Sequence, residues 1–280
     1  MLGRGYNKRQ EIEPGEVALS LLKKSMLILM IGDIVGRPGR QSVKELLPDL
    51  KRQYELSLVI ANAENAAGGF GLTLATATEL LDAGVDVITS GNHIWAQQEI
   101  IPHLDGDLPI MRPLNYPSGV SGRGYLVNSQ AMVVNLIGRT FMGDVDCPFR
   151  AIDQLLDEVK HKPPVIIVDF HAEATSEKIA MGRYLNGRVS AVLGTHTHVG
   201  TTDTQILSRG TAYVTDIGMA GPINSVIGME TKTVIQRFLT GIPHRLSVAR
   251  GKTMFNAVLV GVDEDSGRAI SIDRIYKEVA

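Results

Sequence analysis

The sequence contains a single cysteine, carries almost no net charge and has no long apolar run. Cys147 has no possible partner within the chain, so an intrachain disulfide and a cysteine-rich zinc site are both excluded. The formal net charge of −2, from 28 Lys+Arg and 30 Asp+Glu, argues against a nucleic-acid coat protein or a strongly basic membrane binder. A locally cationic site for a small anion is still compatible with that balance.

No apolar run approaches the roughly 20 residues that a membrane-spanning helix needs. The run at residues 17–22 is cut short by Lys23 and Lys24, which makes it too short for the core of a secretory signal. A cytoplasmic location is therefore expected, and an unpaired cysteine suits such a reducing compartment. Residues 1–25 are predicted to be a mobile N-terminal extension. Residues 26–280 are predicted to be a single domain, because no linker or internal repeat interrupts them.

Short apolar runs rich in β-branched residues predict buried strands, and the stretches between them predict helices. The predicted strands are residues 26–31, 57–61, 85–89, 131–137, 164–170 and 190–194, and the predicted helices are 41–53, 72–83, 95–101, 152–160 and 175–185. This alternation is typical of α/β proteins with parallel strands. The remainder is predicted to be more antiparallel, with strands at 204–207, 211–215, 244–249, 256–262 and 268–276.

Polar side chains that can bind metal follow five of the predicted strands, at the point where each strand ends. In open α/β sheets this edge forms the ligand-binding crevice. Because five such placements occur in order, we expect the side chains to converge on one metal site. Imidazoles combined with carboxylate and amide oxygens suit Fe, Mn or Zn, whereas calcium prefers oxygen ligands alone. The candidates are Asp33, Asn62, Glu64, Asn65, Asn92, His93, His171, Glu173, His196 and His198.

Taken singly, each candidate also has an ordinary structural explanation. An aspartate after a strand is commonly a helix cap or a turn residue, and a lone buried histidine often bonds only to protein groups. The two histidines of residues 196–198 would diverge in an extended strand, so a shared site requires the loop to bend. His103, His161 and His244 lie in polar or proline-flanked stretches and are assigned to the solvated surface.

Two glycine-rich segments have further interpretations. Residues 32–40, GDIVGRPGR, could form a phosphate or dinucleotide loop, but the spacing is not G-x-G-x-x-G and the chain has no G-x-x-x-x-G-K-[ST] motif. A Rossmann function is therefore disfavoured, although Arg37 and Arg40 are candidates for holding a phosphate. Residues 212–229 are predicted to be a loop beside the pocket, in which Asn224 and Ser225 either contact phosphate or ribose or serve as turn residues.

The ordered motifs resemble those of the YmdB family of bacterial metallophosphoesterases, within the calcineurin-like superfamily. The matching segments include GDIVGRPGR, NAENAAGGFGLT, TSGNHIW, RPLNYPSGVSGRGY, DFHAEATSEK, NGRVSAVLGTHTHV and GTAYVTDIGMAGPINSVIGM. The similarity extends from about residue 26 to the end of the chain. It implies an α/β fold, a four-layer α/β/β/α sandwich, and a 2′,3′-cyclic-nucleotide phosphodiesterase that binds two metal ions, iron or manganese.

Carried over position by position, the resemblance implies a role for each candidate. His93 would be the general acid, and the metal ligands would be Asp33, Asn65 and His198 at the first ion, Glu64 between both ions, and Asn92, His171 and His196 at the second ion. The chain departs from the superfamily at two positions. Val35 stands where a histidine is usual, and Glu64 replaces the usual bridging aspartate, so the first site lacks one imidazole.

The implied reaction is attack of a metal-bridged hydroxide on phosphorus, while the metals neutralise charge on the phosphate oxygens. A 2′,3′-cyclic nucleotide would yield a nucleoside 3′-phosphate. The alternative is a regulatory, RNA-associated protein whose metal site binds a nucleotide with little turnover. His93 favours the enzyme, because a structural metal site is closed and needs no free histidine beside a ligand. The expected partners are a small nucleotide substrate, RNA ends and further copies of the chain in a homo-oligomer, but no membrane.

Overall fold

The computed structural model describes residues 25–280, and two β-sheets lie face to face at its centre. The prediction of a mobile extension at residues 1–25 therefore falls, except for Ser25, outside the described residues. The first sheet has the order β2 (Asp33–Ile34), β11 (Met219–Pro222), β12 (Thr253–Asp263), β1 (Ser25–Ile31), β3 (Leu58–Asn62) and β4 (Val87–Thr89), and β13 (Ala269–Val279) also pairs with β12. The second has the order β5 (Tyr125–Val127), β6 (Ala131–Ile137), β7 (Val165–His171), β8 (Ala191–Thr195), β10 (Ala212–Val214) and β9 (Gln205–Ile206).

Helices cover the outer face of each sheet. They are α1 (Gly36–Tyr54), α2 (Leu74–Asp82), α3 (Ile101–Leu104), α4 (Pro148–Glu158) and α5 (Thr175–Tyr184). A sixth helix, α6 (Thr231–Thr240), contributes no residue to the hydrophobic clusters of the described residues. Two 3₁₀ turns, Ile94–Ala96 and Gln98–Ile100, precede α3. None of the helices in the described part of the chain has the length and apolar character needed to cross a bilayer.

Three hydrophobic clusters separate the four layers. One lies between the first sheet and helices α1 and α2, another between the two sheets, and the third between the second sheet and helices α4 and α5. Strand β1 shows the reason, since its alternate side chains point to opposite faces. Leu29 and Ile31 join the cluster under the helices, whereas Met26, Ile28 and Met30 join the cluster between the sheets. The predicted α/β/β/α sandwich is thereby confirmed.

Parallel pairing places the predicted site at one edge of the molecule. Strands β1, β3 and β4 are parallel neighbours in the first sheet, and β6, β7 and β8 are parallel neighbours in the second. Their carboxyl ends therefore form two rows, one in each sheet. Asn62 at the end of β3 bonds to Asp169 and His171 of β7, which shows that the two rows meet.

The predicted elements differ from the structure at several points. The predicted helix at residues 95–101 is instead two 3₁₀ turns, because Gln97 between them is extended and its side chain donates to the Phe70 carbonyl. The predicted strand at 244–249 is wrong, since this stretch contains only an isolated bridge between Met229 and Val248. Helix α6 and the short strands β2, β5 and β11 were not predicted. The antiparallel pairing of β12 with β1, β11 and β13 agrees with the expectation for the C-terminal part.

Candidate metal centre

His171 lies at the centre of the candidate site, at the carboxyl end of β7. Its Nε2 atom is 3.0 Å from Glu64 Oε1, 3.2 Å from Asn92 Oδ1 and 3.0 Å from His196 Nδ1. Gly91 allows this close approach, because a Cβ atom at that position would lie 2.0 Å from His171 Cδ2. Side chains from the ends of β3, β4, β7 and β8 therefore meet around one imidazole nitrogen.

Asp33, Asn65 and His198 form the adjoining part of the cluster. Asp33 Oδ1 lies 3.8 Å from His198 Nε2 and 3.9 Å from His171 Nδ1. Asn65 Nδ2 lies 3.2 Å from His198 Nε2 and 3.4 Å from Glu64 Oε1. The structure thus brings together all seven side chains predicted to be metal ligands, and their binding of metal stays a prediction.

The GTHTHV loop bends sharply, which places both of its histidines in the cluster. The backbone φ angle is 104° at His196 and 65° at His198, a region that residues with a side chain rarely adopt. Thr197 lies between them and donates to Asp216 Oδ2 from its backbone N–H, at 3.1 Å, and from its hydroxyl, at 2.8 Å. Lys178 Nζ lies 2.6 Å from the same oxygen, and both charged side chains are buried. The bend required for a shared site is therefore held in place by a buried ion pair.

A second layer of hydrogen bonds orients His171. Thr195 Oγ1 donates to Asp169 Oδ1 at 2.7 Å and lies 2.9 Å from His171 Nδ1. Asn62 donates to Asp169 Oδ2 at 3.1 Å and accepts from the backbone N–H of Glu64 at 3.2 Å. Burial raises the pKa of Asp169 to about 6, which leaves this carboxyl ionised near neutral pH. Asn62, a candidate ligand from the sequence, is thus committed to protein groups around the site.

Glu64 and His171 form a buried pair of opposite charge. Burial alone would raise the pKa of Glu64, but the charge and hydrogen bond of His171 lower it to about 2. Burial alone would lower the pKa of His171, and Glu64 instead raises it to about 9. At His196, burial and then the charge of His171 lower the pKa to about 3. A cation bound by these groups would displace the proton that Glu64 and His171 share.

The cluster passes a chemical test for a metal site. The ligand atoms of Glu64, His171 and His196 all lie within 4.8 Å of one another. Asp33 Oδ1 is buried and has no hydrogen-bond partner among the described residues, and burial raises the pKa of this carboxyl. A buried carboxylate oxygen without a donor is unfavourable unless a cation neutralises it. Mixed nitrogen and oxygen donors suit a transition metal better than calcium.

The segment GDIVGRPGR has a structural function as well as supplying Asp33. Val35 is fully buried, and an ideal Cβ atom at Gly228 would lie 2.6 Å from its Cγ1, so this position provides apolar packing and no ligand atom. Arg40 Nε donates to Glu79 Oε2 at 2.7 Å, which ties that guanidinium to α2. Arg37 is exposed and is the arginine of this segment that is free to meet an anion.

His93 stands beside the cluster without belonging to it. Its backbone N–H donates to Glu64 Oε2 at 2.7 Å, which fixes the residue next to the proposed bridging carboxylate. Its ring packs edge-to-face against Phe70, with the ring centroids 5.1 Å apart. No ring nitrogen of His93 bonds to another residue in the described part of the chain. The imidazole lines a cavity, so it is free to exchange a proton with a bound molecule.

That cavity has a volume of about 460 Å³ and combines the metal centre with an apolar wall. Its size is typical of small-molecule sites. The polar lining includes Glu64, Asn65, His93, Glu173, His196 and His198, and the apolar lining includes Phe70, Val226, Ile227, Val234, Phe238 and Leu246, with Arg237 at the same wall. The half-exposed Glu173 is a candidate from the sequence, and its Oε2 lies 3.1 Å from His196 Nε2. It therefore contacts a predicted ligand. The apolar wall was not predicted from the sequence, because its residues lie on separate segments of the chain that only the packing brings together.

Residues 212–229 contain β10, which agrees with the strand predicted at 211–215, and β11, which lies within the predicted loop. Ser225 Oγ donates to the Pro222 carbonyl at 2.7 Å and accepts from the Gly228 N–H at 2.9 Å, so it closes a turn. Of the two interpretations of Ser225, the turn residue is the one supported. The segment does border the cavity, but through Val226 and Ile227, and the Ile227 carbonyl lies 2.8 Å from His198 Nδ1.

Comparison with known proteins identifies the family. Residues 29–275 match the YmdB-like proteins. The chain belongs to this family. A Bacillus subtilis member, a 2′,3′-cyclic-nucleotide 2′-phosphodiesterase, is 47% identical over 254 residues, which cover 89% of this chain and 96% of that protein. The structure of a hypothetical protein from Thermus thermophilus aligns with a TM-score of 0.86 at 45% identity, covering 91% of this chain and 100% of that one.

A Mycoplasma pneumoniae relative described as a novel phosphatase also aligns with a TM-score of 0.86, at 35% identity and over 91% of this chain and 94% of that one. Membership of the YmdB-like family confirms the resemblance drawn from the motifs. It also confirms that the chain is an enzyme of the metallophosphoesterase type.

Proposed function

We propose that the chain is a two-metal phosphodiesterase that hydrolyses 2′,3′-cyclic nucleotides to nucleoside 3′-phosphates. The observation that carries the proposal is the position of His93, a free imidazole fixed beside seven clustered ligand side chains and facing a ligand-sized cavity. The name of the B. subtilis relative supports this substrate class and the breaking of the bond to the 2′ oxygen. The proposed ions are iron or manganese.

The proposed ligands divide into two overlapping sets. One ion would be held by the side chains that meet at His171 Nε2, which are Glu64, Asn92, His171 itself and His196. The other ion would be held by Asp33, Asn65, His198 and the shared Glu64. When bound, the two ions would supply Lewis-acid activation of water and neutralisation of phosphate charge. Seven ligands exceed the needs of a single tetrahedral ion, which supports two ions.

The residues around this centre would divide the remaining work. His93 would protonate the 2′ oxygen as its bond to phosphorus breaks, since an alkoxide is a poor leaving group. Phe70 packs against His93 and limits the directions in which that ring can turn. The apolar wall would take the nucleoside and exclude water from that side of the phosphate.

The test is hydrolysis of 2′,3′-cyclic AMP by metal-loaded protein, compared with 3′,5′-cyclic AMP and AMP. We expect turnover of the first substrate, with adenosine 3′-phosphate as the product. His93→Gln should keep its metal and lower kcat about 10²–10⁴-fold. Glu64→Gln should lose metal, because this carboxylate contacts the ligands of both sets. His103→Gln, at a histidine assigned to the surface, is the matched control and should resemble the wild type.

Each result has a clear reading. Failure to hydrolyse 2′,3′-cyclic AMP with Fe, Mn or Zn would contradict the proposed substrate class. Unchanged kcat in His93→Gln would contradict the proposed acid. Loss of metal from His93→Gln as readily as from Glu64→Gln would show that His93 is a ligand.

A further inference from the structure

Two clefts continue from the cavity beside the metal centre and form one groove across the surface. The first cleft, of about 440 Å³, shares Phe70, Arg237 and Leu246 with the cavity. The second cleft, of about 1310 Å³, shares Gly68, Arg245 and Leu246 with the first. The shared lining residues show that the three spaces adjoin one another, and we call the two clefts together the strand groove. It leads from the metal centre to the first turns of α1.

The strand groove is cationic although the whole chain has a formal net charge of −2. Its basic lining residues are Arg37, Lys44, Arg237, Arg245 and Arg250, joined by His244, and Glu45 is the acidic side chain among them. Lys44 lies 3.6 Å from Glu79 and is partly neutralised. The four arginines are exposed and form no ion pair with any residue between 25 and 280. Exposed guanidinium groups along a groove are suited to phosphate oxygens.

We propose that the strand groove binds single-stranded RNA that ends in a 2′,3′-cyclic phosphate, and that such ends are substrates of the metal centre. This inference rests on the proposed function. In a terminal cyclic phosphate the 2′ and 3′ oxygens both belong to the ring, so the chain continues only through the 5′ oxygen. With that phosphate at the metal centre, the preceding nucleotides must leave through the cavity, and the strand groove is the continuation that the structure offers.

The size and chemistry of the three spaces agree with this substrate. The cavity of about 460 Å³ is of a size to hold the terminal nucleoside, with Phe70 and Phe238 available for stacking against a base. A mononucleotide in that cavity would have no group to place near Arg37 or Arg250, which line only the more distant cleft. The arginine side chains there are matched to a longer, polyanionic substrate. Because a deoxyribose has no 2′ oxygen, DNA cannot present the same end.

The test compares 2′,3′-cyclic AMP with an octaadenylate whose 3′ end is a 2′,3′-cyclic phosphate. For the wild type we expect a higher kcat/KM on the octamer and a strong decrease of that advantage as salt is raised. Arg245→Glu/Arg250→Glu should lower the ratio of kcat/KM for the octamer to that for the mononucleotide at least about ten-fold. Lys160→Glu, at an exposed lysine after α4 on the opposite helical layer, is the control for charge reversal.

Binding is measured separately with an octaadenylate that ends in a 3′-phosphate and so contains no cyclic diester. Log Kd against log salt should have a slope that is smaller by about 0.7 for each groove arginine removed. This arm works even if the enzyme hydrolyses no cyclic mononucleotide, so the failure of the proposed function and the failure of this inference are distinguishable. An equal kcat/KM ratio in the wild type and the double variant, with equal salt slopes, would overturn the inference. Vesicles of phosphatidylglycerol serve as the competing anionic ligand. If Arg245→Glu/Arg250→Glu lost binding to these vesicles while its RNA binding stayed unchanged, the inference would also be overturned.

Discussion

At the scale of single residues, the hydroxyl of Thr195 determines which ring nitrogen of His171 is available to a cation. Asp169 is ionised near neutral pH and only accepts, so the Thr195 hydroxyl proton points to it. The same oxygen therefore accepts from His171 Nδ1–H at 2.9 Å. Once a bound cation displaces the proton that Nε2 shares with Glu64, the proton on Nδ1 keeps the Nε2 lone pair directed at the space between Glu64, Asn92 and His196. Bonds of this kind tune metal ligands in many proteins.

Replacement of this hydroxyl by a methyl group should weaken metal binding without removing a ligand. We expect Thr195→Val to lower the affinity for Mn²⁺ about 10–100-fold, the usual effect of losing a bond to a ligating histidine. The free energy of unfolding should fall by about 1–3 kcal/mol, because the buried Asp169 loses a donor. Metal titration and urea denaturation measure the two effects. Thr195→Ser keeps the hydroxyl, so its Mn²⁺ affinity and stability should be close to those of the wild type. Equal Mn²⁺ affinities in Thr195→Val, Thr195→Ser and the wild type would disprove this role for Thr195.

At the scale of elements, the loop at residues 196–198 depends on a buried ion pair on two other elements. Lys178 belongs to α5 and Asp216 follows β10, and each side chain is 1% exposed. Asp216 also accepts from Thr197 and from the backbone N–H of Gly218. The pair thus connects a helix, a strand end and the strained loop. Its loss would release the loop as well as leave a charge buried.

Lys178→Met should therefore be costly. Removing one partner of a buried pair usually costs about 3–5 kcal/mol, because the remaining charge has no compensation. We expect a loss of that size in urea denaturation, together with reduced metal content at the His196 side of the centre. The matched control is Arg188→Met, which breaks the half-exposed pair between Arg188 and Asp153. Exposed pairs contribute about 0–1 kcal/mol, so similar losses in both variants would contradict the argument.

Helix α6 presents an apolar surface whose residues have separable roles. Its only buried residue is Val234, whereas Phe238 is 84% exposed and Leu239 is 79% exposed. Phe238 lines the cavity and Leu239 does not. We expect Phe238→Ala to raise KM for 2′,3′-cyclic AMP about 5–150-fold, which corresponds to a stacking contribution of about 1–3 kcal/mol per base. Leu239→Ala should leave KM unchanged, and neither variant should alter the thermal midpoint. A KM increase shared by both variants would assign the effect to the helix and not to stacking.

The sequence predicted the strands and helices with clear periodicity and missed those defined by their surroundings. Buried strands such as residues 131–137 can be recognised in the sequence, because a strand covered on both faces is apolar along most of its length. Strand β2 has only two residues, and its pairing with β11 cannot be seen in its own composition. Helix α6 has apolar side chains on exposed positions, so its pattern does not mark a face turned to the core. Residues 244–249 look like a strand but find no partner strand.

At the scale of the whole molecule, the clustering of the seven predicted ligands could be predicted from the sequence, because the fold fixes where strands end. All seven predicted ligands follow or end strands, so the parallel pairing of each sheet and the facing of the two sheets are enough to gather them. The apolar wall of the cavity and the strand groove were not predictable. Phe70, Ile227 and Phe238 lie on three separate segments, and only their packing shows that they share a space. The basic character of the groove is likewise invisible in a net charge of −2.

Because negative charge is concentrated in this cluster, we expect the stability of the molecule to depend on bound metal ions. Asp33, Glu64 and Asp169 are all buried in this region, and burial, with the repulsion of nearby carboxylates, raises the pKa of Asp33. Two divalent cations would offset that concentration of negative charge. A ligand that binds only the folded state stabilises it by about 4 kcal/mol for each site at a free concentration 1,000 times Kd. Metal content and thermal stability should therefore change together.

We expect protein purified without added metal to contain two transition-metal ions per chain, with Fe or Mn ahead of Zn, by elemental analysis. Chelation should lower the thermal midpoint, and Mn²⁺ should restore it. Asp33→Asn separates charge from fold: without a buried anion, its metal-free form should melt at or above the metal-free wild type, yet Mn²⁺ should raise its midpoint far less. Asp49→Asn, at an exposed carboxylate of α1 paired with Arg52, is the control and should keep the full Mn²⁺ response. A stoichiometry of one ion would contradict the two-metal centre. Asp33 belongs to one of the two proposed ligand sets, so its replacement should remove the stabilisation by that ion; an equal Mn²⁺ response in Asp33→Asn and wild type would therefore contradict the two-metal centre as well.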